Sequence, residues 1–343
     1  MQIVRAGPLL IVIAVTAMMS QDQPRLIGSI DFYGYAGLNV DQIRSGIPVQ
    51  VGDPFPGPAE IVNGISKAVK SSIGRPPTDV APVCCDPQGN YMIYVGLPGA
   101  SIKHTKLNPV PKAKLHFPTE IVELYEQTME ASGAAVLRGT ARADTSQGYS
   151  LSTSDPALRA KQLEVRAYAI EHEKLIRDML NSSSDAQQRI VAAFMLEYTR
   201  PSNQQISSLV HACHDFDETV RNNATRALGV LAGSSPKVAA RIPADGFITM
   251  LSSVSWTDRN KAGWVLISLT RSRDAKLLGQ LRSDALVSLL EMARWRNAGH
   301  AYNARILLGR IAGIPEERLE QLANADNADE IIKELRLKER ENH

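Results

Sequence analysis

The side chains of this 343-residue chain best suited to chemistry lie in two places. Cys84 and Cys85 are adjacent, while Cys213 stands alone beside His211 and His214. Three cysteines are an odd number for an oxidising compartment. Cys84 and Cys85 are read either as a disulfide or as idle thiols, because bridging favours Cα atoms farther apart than one peptide unit places them. A link from either to Cys213 would require the two halves of the chain to touch. His211 and His214 sit three apart on an expected helix with no third or fourth ligand at a recognised spacing, so no metal is expected. The second place is Ser255–Arg310, where ten Arg/Lys face four Asp/Glu and leave a local charge of +6. Arg259, Arg271, Arg273, Arg294, Arg296 and Arg305 lie there with Trp256 and Trp295. Arg and Trp dominate binding hot spots, so these eight are the expected contacts for a protein partner, an acidic one. The competing reading buries the tryptophans as core and leaves the arginines in solvent.

No Gly-x-Ser-x-Gly elbow, Walker-type loop, Rossmann glycine pattern or His-Glu-x-x-His pair occurs. The seven histidines are scattered. The expectation is therefore a non-enzyme without a cofactor. Composition agrees with a folded protein, 44% hydrophobic and 22% charged. The net charge of +2 argues for no nucleic acid.

Two regimes position these residues. Fourteen of nineteen prolines lie at or before Pro118. An interior proline costs a helix about 3 kcal/mol, so the second part is expected to be mostly helical and the first is not. Residues 1–20 read as Arg5 followed by an apolar run, Pro8–Met19, of secretory length and too short to span a membrane. The expectation is export, to a periplasm or beyond the cell, with no transmembrane segment after signal cleavage.

Residues 25–96 read as a small α+β domain. Leu26, Ile30 and Phe32 alternate on a strand, Asn39–Gly46 and Ala59–Ile73 carry helical signals, and two extended runs flank the turn Asp86–Asn90. The stretch "IGSIDFYGYAGLNVDQIRSGIPVQVGDPF", residues 27–55, resembles a polypeptide-transport-associated (POTRA) domain. That resemblance implies strand addition to an exposed sheet edge during outer-membrane protein assembly. Residues 97–117, rich in Pro and Lys, read as an extended connector.

From 118 helical stripes take over: Ile121, Leu124, Tyr125 and Met129 first, then one long helix from Pro156 to Leu180, leading to the repeats at 182–315. Self-comparison is the strongest signal. Arg189, Arg221 and Arg259 open similar blocks at offsets of 32 and 38, and Leu308-Gly309 aligns with Leu228-Gly229 at an offset of 80. Paired helices at this period mark an α-solenoid, because one helical hairpin cannot bury its apolar face alone. "DFDETVRNNATRALGVLAG", residues 215–233, resembles the HEAT family, over about 160–315. The resemblance implies a right-handed helical-repeat fold that binds proteins along a concave face. Residues 316–343 read as a polar capping helix and tail. The expected function is an exported protein-binding scaffold. An envelope-assembly factor acting through residues 25–96 and an enzyme with an unrecognised site are the alternatives.

Overall fold

Two hydrophobic clusters organise the chain, one local to the N-terminal unit and one running through the rest. The computed structural model describes residues 25–325 and 328–341. The expected export segment, residues 1–20, lies outside them. The described chain is predominantly helical, 59% helix, with a small N-terminal sheet. Among the described residues no helix is long and apolar enough to cross a membrane.

The N-terminal unit runs β1 (Ile27–Tyr33), α1 (Val40–Ser45), α2 (Pro58–Ile73), β2 (Asp79–Cys84) and β3 (Tyr91–Gly96). β3 is central, parallel to β1 and antiparallel to β2. Side chains alternate across a strand, and here both faces are covered. Ile30, Phe32, Ile93 and Val95 pack on Ile43 of α1 and Ile61, Ile65 and Val69 of α2. Tyr33, Met92 and Tyr94 belong instead to the helical core. The pairing register skips Gly28, so Ile27 turns inward while Leu26 is 38% exposed. This corrects the Leu26 face expected from strict alternation, since one extra residue flips every side chain before it.

After a non-helical stretch come α3 (Thr119–Leu137), the short hairpin β4 (Ala143–Asp144) and β5 (Leu151–Ser152), then α4 (Pro156–Glu171) and α5 (Glu173–Ser182). The helix expected over 156–180 breaks at His172, whose φ of −114° and ψ of 25° leave the helical region. Next follow α6 (Ala186–Leu196), α7 (Asn203–Ala212), α8 (Glu218–Ser234), α9 (Pro236–Ala239), α10 (Asp245–Met250), α11 (Trp256–Leu269), α12 (Ala275–Ala293) and α13 (Ala298–Ala312). Two helices, α14 (Glu316–Ala323) and α15 (Asp329–Glu341), replace the expected single capping helix. α5 pairs with α6, α7 with α8, α10 with α11 and α12 with α13, and each second helix packs on the next.

Buried ion pairs tie one helix pair to the next. Arg189 grips Asp215 through Nε and Nη2 at 2.8 and 2.9 Å. Arg221 reaches Asp258 at 3.0 Å, and Arg259 reaches Glu291 at 3.5 Å. Each arginine also donates to the carbonyl six residues before it: Ser183, Asp215 and Ser253. All six charged side chains are nearly inaccessible. Such pairs survive burial only when geometry and extra hydrogen bonds offset desolvation, which these carbonyls supply.

The connector is bound down along its length. The N–H groups of Lys103, Asn108 and Ala113 donate to the carbonyls of Ser252, His214 and Ser182, at 2.8, 2.7 and 3.1 Å. Each acceptor lies seven residues before one of the three rung arginines, at the end of the first helix of a pair. Those terminal carbonyls lack intrahelical partners. A five-residue step in the strap thus matches one helix pair in the body. Phe117 closes it, donating its N–H to Gln188 Oε1 at 2.7 Å.

Candidate functional site

The second face of the sheet meets the helical body, and there Trp256, Trp295 and Arg259 of the expected contact residues are spent. Gly34, with φ of +71°, starts a turn whose next N–H groups point one way. The N–H groups of Gly34, Tyr35 and Ala36 donate to the Glu291 carboxylate at 2.6, 3.0 and 3.1 Å, and the Ser101 hydroxyl adds a fourth bond at 2.6 Å. Successive N–H groups in such a turn form an anion cradle, and a side chain on Gly34 would collide with the Leu97 carbonyl and Ile102. Glu291 is the acid of the third rung, so the sheet unit and Arg259 share it.

Helix starts complete the seam. Asp79 accepts the first N–H of α11, from Trp256, at 2.9 Å, and the Tyr33 hydroxyl at 2.8 Å. Asp31 accepts the Arg296 N–H, just ahead of α13, at 3.1 Å. Negative charge there complements the helix dipole. Burial nevertheless raises Asp79, and pushes Asp31 up to about 6 against the opposing Arg296 N–H. Trp295 donates its indole N–H to the Phe32 carbonyl at 3.3 Å. Tyr94 stacks on Trp256 at 4.8 Å and shares a 2.5 Å hydrogen bond with His300 Nδ1. Burial lowers His300 to about 4, so its ring is uncharged at neutral pH.

The eight expected contacts therefore divide. Trp256, Trp295, Arg259 and Arg305 are buried, at 6, 1, 0 and 1% exposure. The expectation of a surface role for these four is corrected: the sheet unit covers both tryptophans, Arg259 completes a rung, and Arg305 holds the carbonyls of Ala293, Ala323 and Ala325. Arg273 is half-buried and paired with Glu316 at 2.7 Å. Arg271, Arg294 and Arg296 are exposed. Sequence reasoning missed Glu291, Asp31 and Asp79. A signal existed for Glu291, a lone acid in the apolar run Leu289-Leu290-Glu291-Met292-Ala293.

One open space adjoins the seam. A cleft of about 1190 Å³ lies between the turn after β2, the C-terminal end of α3 and the start of α13. Arg25 and Arg296 line it beside Val136 and Leu137, which are 43 and 60% exposed. Asp86 also lines it, but its carboxylate is committed to the N–H groups of Gln88 and Asn90 at 2.9 and 2.8 Å.

Cys84 and Cys85 are joined as a disulfide at the cleft's edge, and Arg25 Nη1 lies 3.3 and 3.8 Å from the two sulfurs. Cys213 is a free thiol, buried, with the Thr225 hydroxyl 3.3 Å away; burial pushes it up to about 12. Among the described residues no group of three His, Cys, Asp or Glu is placed to hold a metal ion. The outer edge of β1 is occupied by the chain itself: Ile27 N–H bonds the Asp53 carbonyl, and Phe55 N–H the Arg25 carbonyl, at 2.9 and 2.7 Å. The β2 edge carries Pro82, which has no N–H to offer. A scan against protein-family models finds no match for the chain, and a search of curated proteins finds none either.

Proposed function

We propose that this chain is an exported, non-enzymatic binding scaffold: a HEAT-like α-solenoid, capped by a small α+β unit, that holds a protein partner in the cell envelope or outside the cell. The observation that carries the reading is the three-rung series Arg189–Asp215, Arg221–Asp258 and Arg259–Glu291. Interactions repeated in step with a sequence repeat are what stacked helix pairs need in order to act as one body. Such a body keeps its surface fixed, and a preordered surface loses less entropy on binding. The occupied β1 edge and Pro82 on the β2 edge favour the scaffold over an envelope-assembly factor that would add a client strand. The partner contacts on this reading are the residues left accessible, Arg294 and Arg296 with the cleft wall at Val136 and Leu137, in place of the buried tryptophans.

The test is a photo-cross-linking amino acid placed at Leu137, at Arg294 and, on a distant surface, at Leu175, in cells of the source organism. One protein captured from Leu137 and Arg294 but not from Leu175 is the expected result. Equal capture from all three positions, or capture from none, overturns the scaffold reading.

A further inference from the structure

The cleft beside the seam has a composition that selects its occupant. Its cations, Arg25 and Arg296, are both exposed; Arg25 Nη1 touches the disulfide sulfurs, and the charge of Arg296 acts on the buried Asp31 behind it. The one acid on the wall, Asp86, is held by its own turn and offers little to a cationic ligand. Facing them, Val136 and Leu137 present apolar surface at the end of α3, with Met92 beside them. Exposed apolar side chains opposite exposed guanidinium groups form a two-part surface, one part for hydrocarbon and one for negative charge.

The backbone adds to the charged half. Asn297 caps α13 by accepting the His300 N–H at 3.0 Å, and its carbonyl accepts the Ala301 N–H at 3.0 Å. The N–H groups of Ala298 and Gly299 precede these bonds, at the cleft wall. His300 carries no positive charge at neutral pH, so the positive charge here is that of Arg25 and Arg296, set against the single carboxylate of Asp86. A volume of about 1190 Å³ exceeds the range typical of small-ligand pockets. It has room for several residues of a peptide.

We infer that this cleft binds a short peptide segment of a partner protein in which a carboxylate lies next to apolar side chains. The carboxylate sits between Arg296, Arg25 and the start of α13, and the apolar side chains sit on Val136 and Leu137. This rests on the scaffold reading and names the chemistry of its partner. The carboxylate is that of an internal Asp or Glu, since a cleft open to solvent lets a chain run through it.

Three fluorescein-labelled hexapeptides test it by fluorescence anisotropy with the full chain. All share an apolar sequence: one ends in a free carboxylate, one is amidated, and one is amidated with an internal Asp. The expected result is binding of the Asp peptide, and at least tenfold weaker binding of the plain amide. Arg296→Ala and Leu137→Asp should each weaken the bound peptide about tenfold. Both positions are exposed, and unchanged melting curves confirm that the variants fold. No binding by any peptide to about 1 mM overturns the inference. So does binding of the free acid without the Asp peptide, equal binding of all three, or binding that ignores both variants. If the peptides fail while cross-linking still captures a partner, the scaffold reading stands alone. If they bind and no protein is captured, the cleft chemistry stands and the scaffold reading falls.

Discussion

The first two rungs and the third use the same device for different ends. Asp215 and Asp258 are consumed among helices: Asp215 takes Arg189 and the Asp217 N–H, and Asp258 takes Arg221 and the Ser253 hydroxyl. Glu291 holds Arg259 only loosely at 3.5 Å and gives its shortest bonds to Gly34 of the sheet unit and Ser101 of the strap. The position that elsewhere joins one helix pair to the next here joins the repeat to a different fold. A buried acid with spare acceptor capacity is enough to turn a stacking position into a docking position.

Substitution separates the two uses. Glu291→Ala should cost about 5 kcal/mol or more, because Arg259 loses its partner inside the core while three N–H groups and a hydroxyl lose their acceptor. It should also expose residues 97–117 to limited proteolysis. If the strap stays protected in that variant, the sheet unit is held by something other than Glu291. Asp215→Ala should cost about 3–5 kcal/mol by denaturant unfolding, since it strands one buried arginine. It should leave the sheet unit docked. Proteolysis of the strap as rapid as in Glu291→Ala would erase the distinction between rungs.

The smallest effect concerns pH at the seam. Between its unfolded value of 3.8 and about 6, Asp31 keeps a proton in the fold that the unfolded chain has released, so its contribution to stability falls as pH rises. His300 is the mirror case. Between about 4 and 6.5 the unfolded chain holds a proton that the folded ring lacks, so stability rises with pH. Their opposing slopes offset one another from pH 4 to 6. Unfolding followed across that range should show Asp31→Asn gaining about 2 kcal/mol with rising pH and His300→Asn losing a similar amount. Parallel curves for the two variants would remove the seam as the site of both groups.

How much of this was readable in the chain follows from which contacts are local. The helix starts at Asp155 and Asp217 are local, because a cap is a relation among neighbours: each accepts N–H groups two or three residues on. The hairpin around Asp86–Asn90 was visible for the same reason. The repeated arginines were visible as a pattern, yet their acids lie 26, 37 and 32 residues away, at spacings too uneven to align. Trp256 and Trp295 looked like partner contacts because their covering surface, Tyr33 and Tyr94, is encoded some two hundred residues earlier. The strap was read as an extended connector, but its anchoring runs through backbone N–H groups, which every residue but proline carries. No side-chain pattern could reveal it. The reading of 156–180 as one helix failed at His172 because the apolar spacing continues past the break.

The seam also sets an order of events during synthesis. Phe32 and Trp295 are 263 residues apart. β3 ends at Gly96, so at about 5–20 residues per second the sheet is complete for roughly 10–40 s before Trp295 exists to cover it. Through that interval α1 and α2 can already cover one face of the sheet, while Tyr33, Met92 and Tyr94 stay bare on the other. A nascent chain in this condition needs a holding factor, or needs to remain unfolded until its last helix pair arrives. On the export proposed above, the second course removes the hazard, since both halves of a chain threaded unfolded through a pore meet for the first time on the far side.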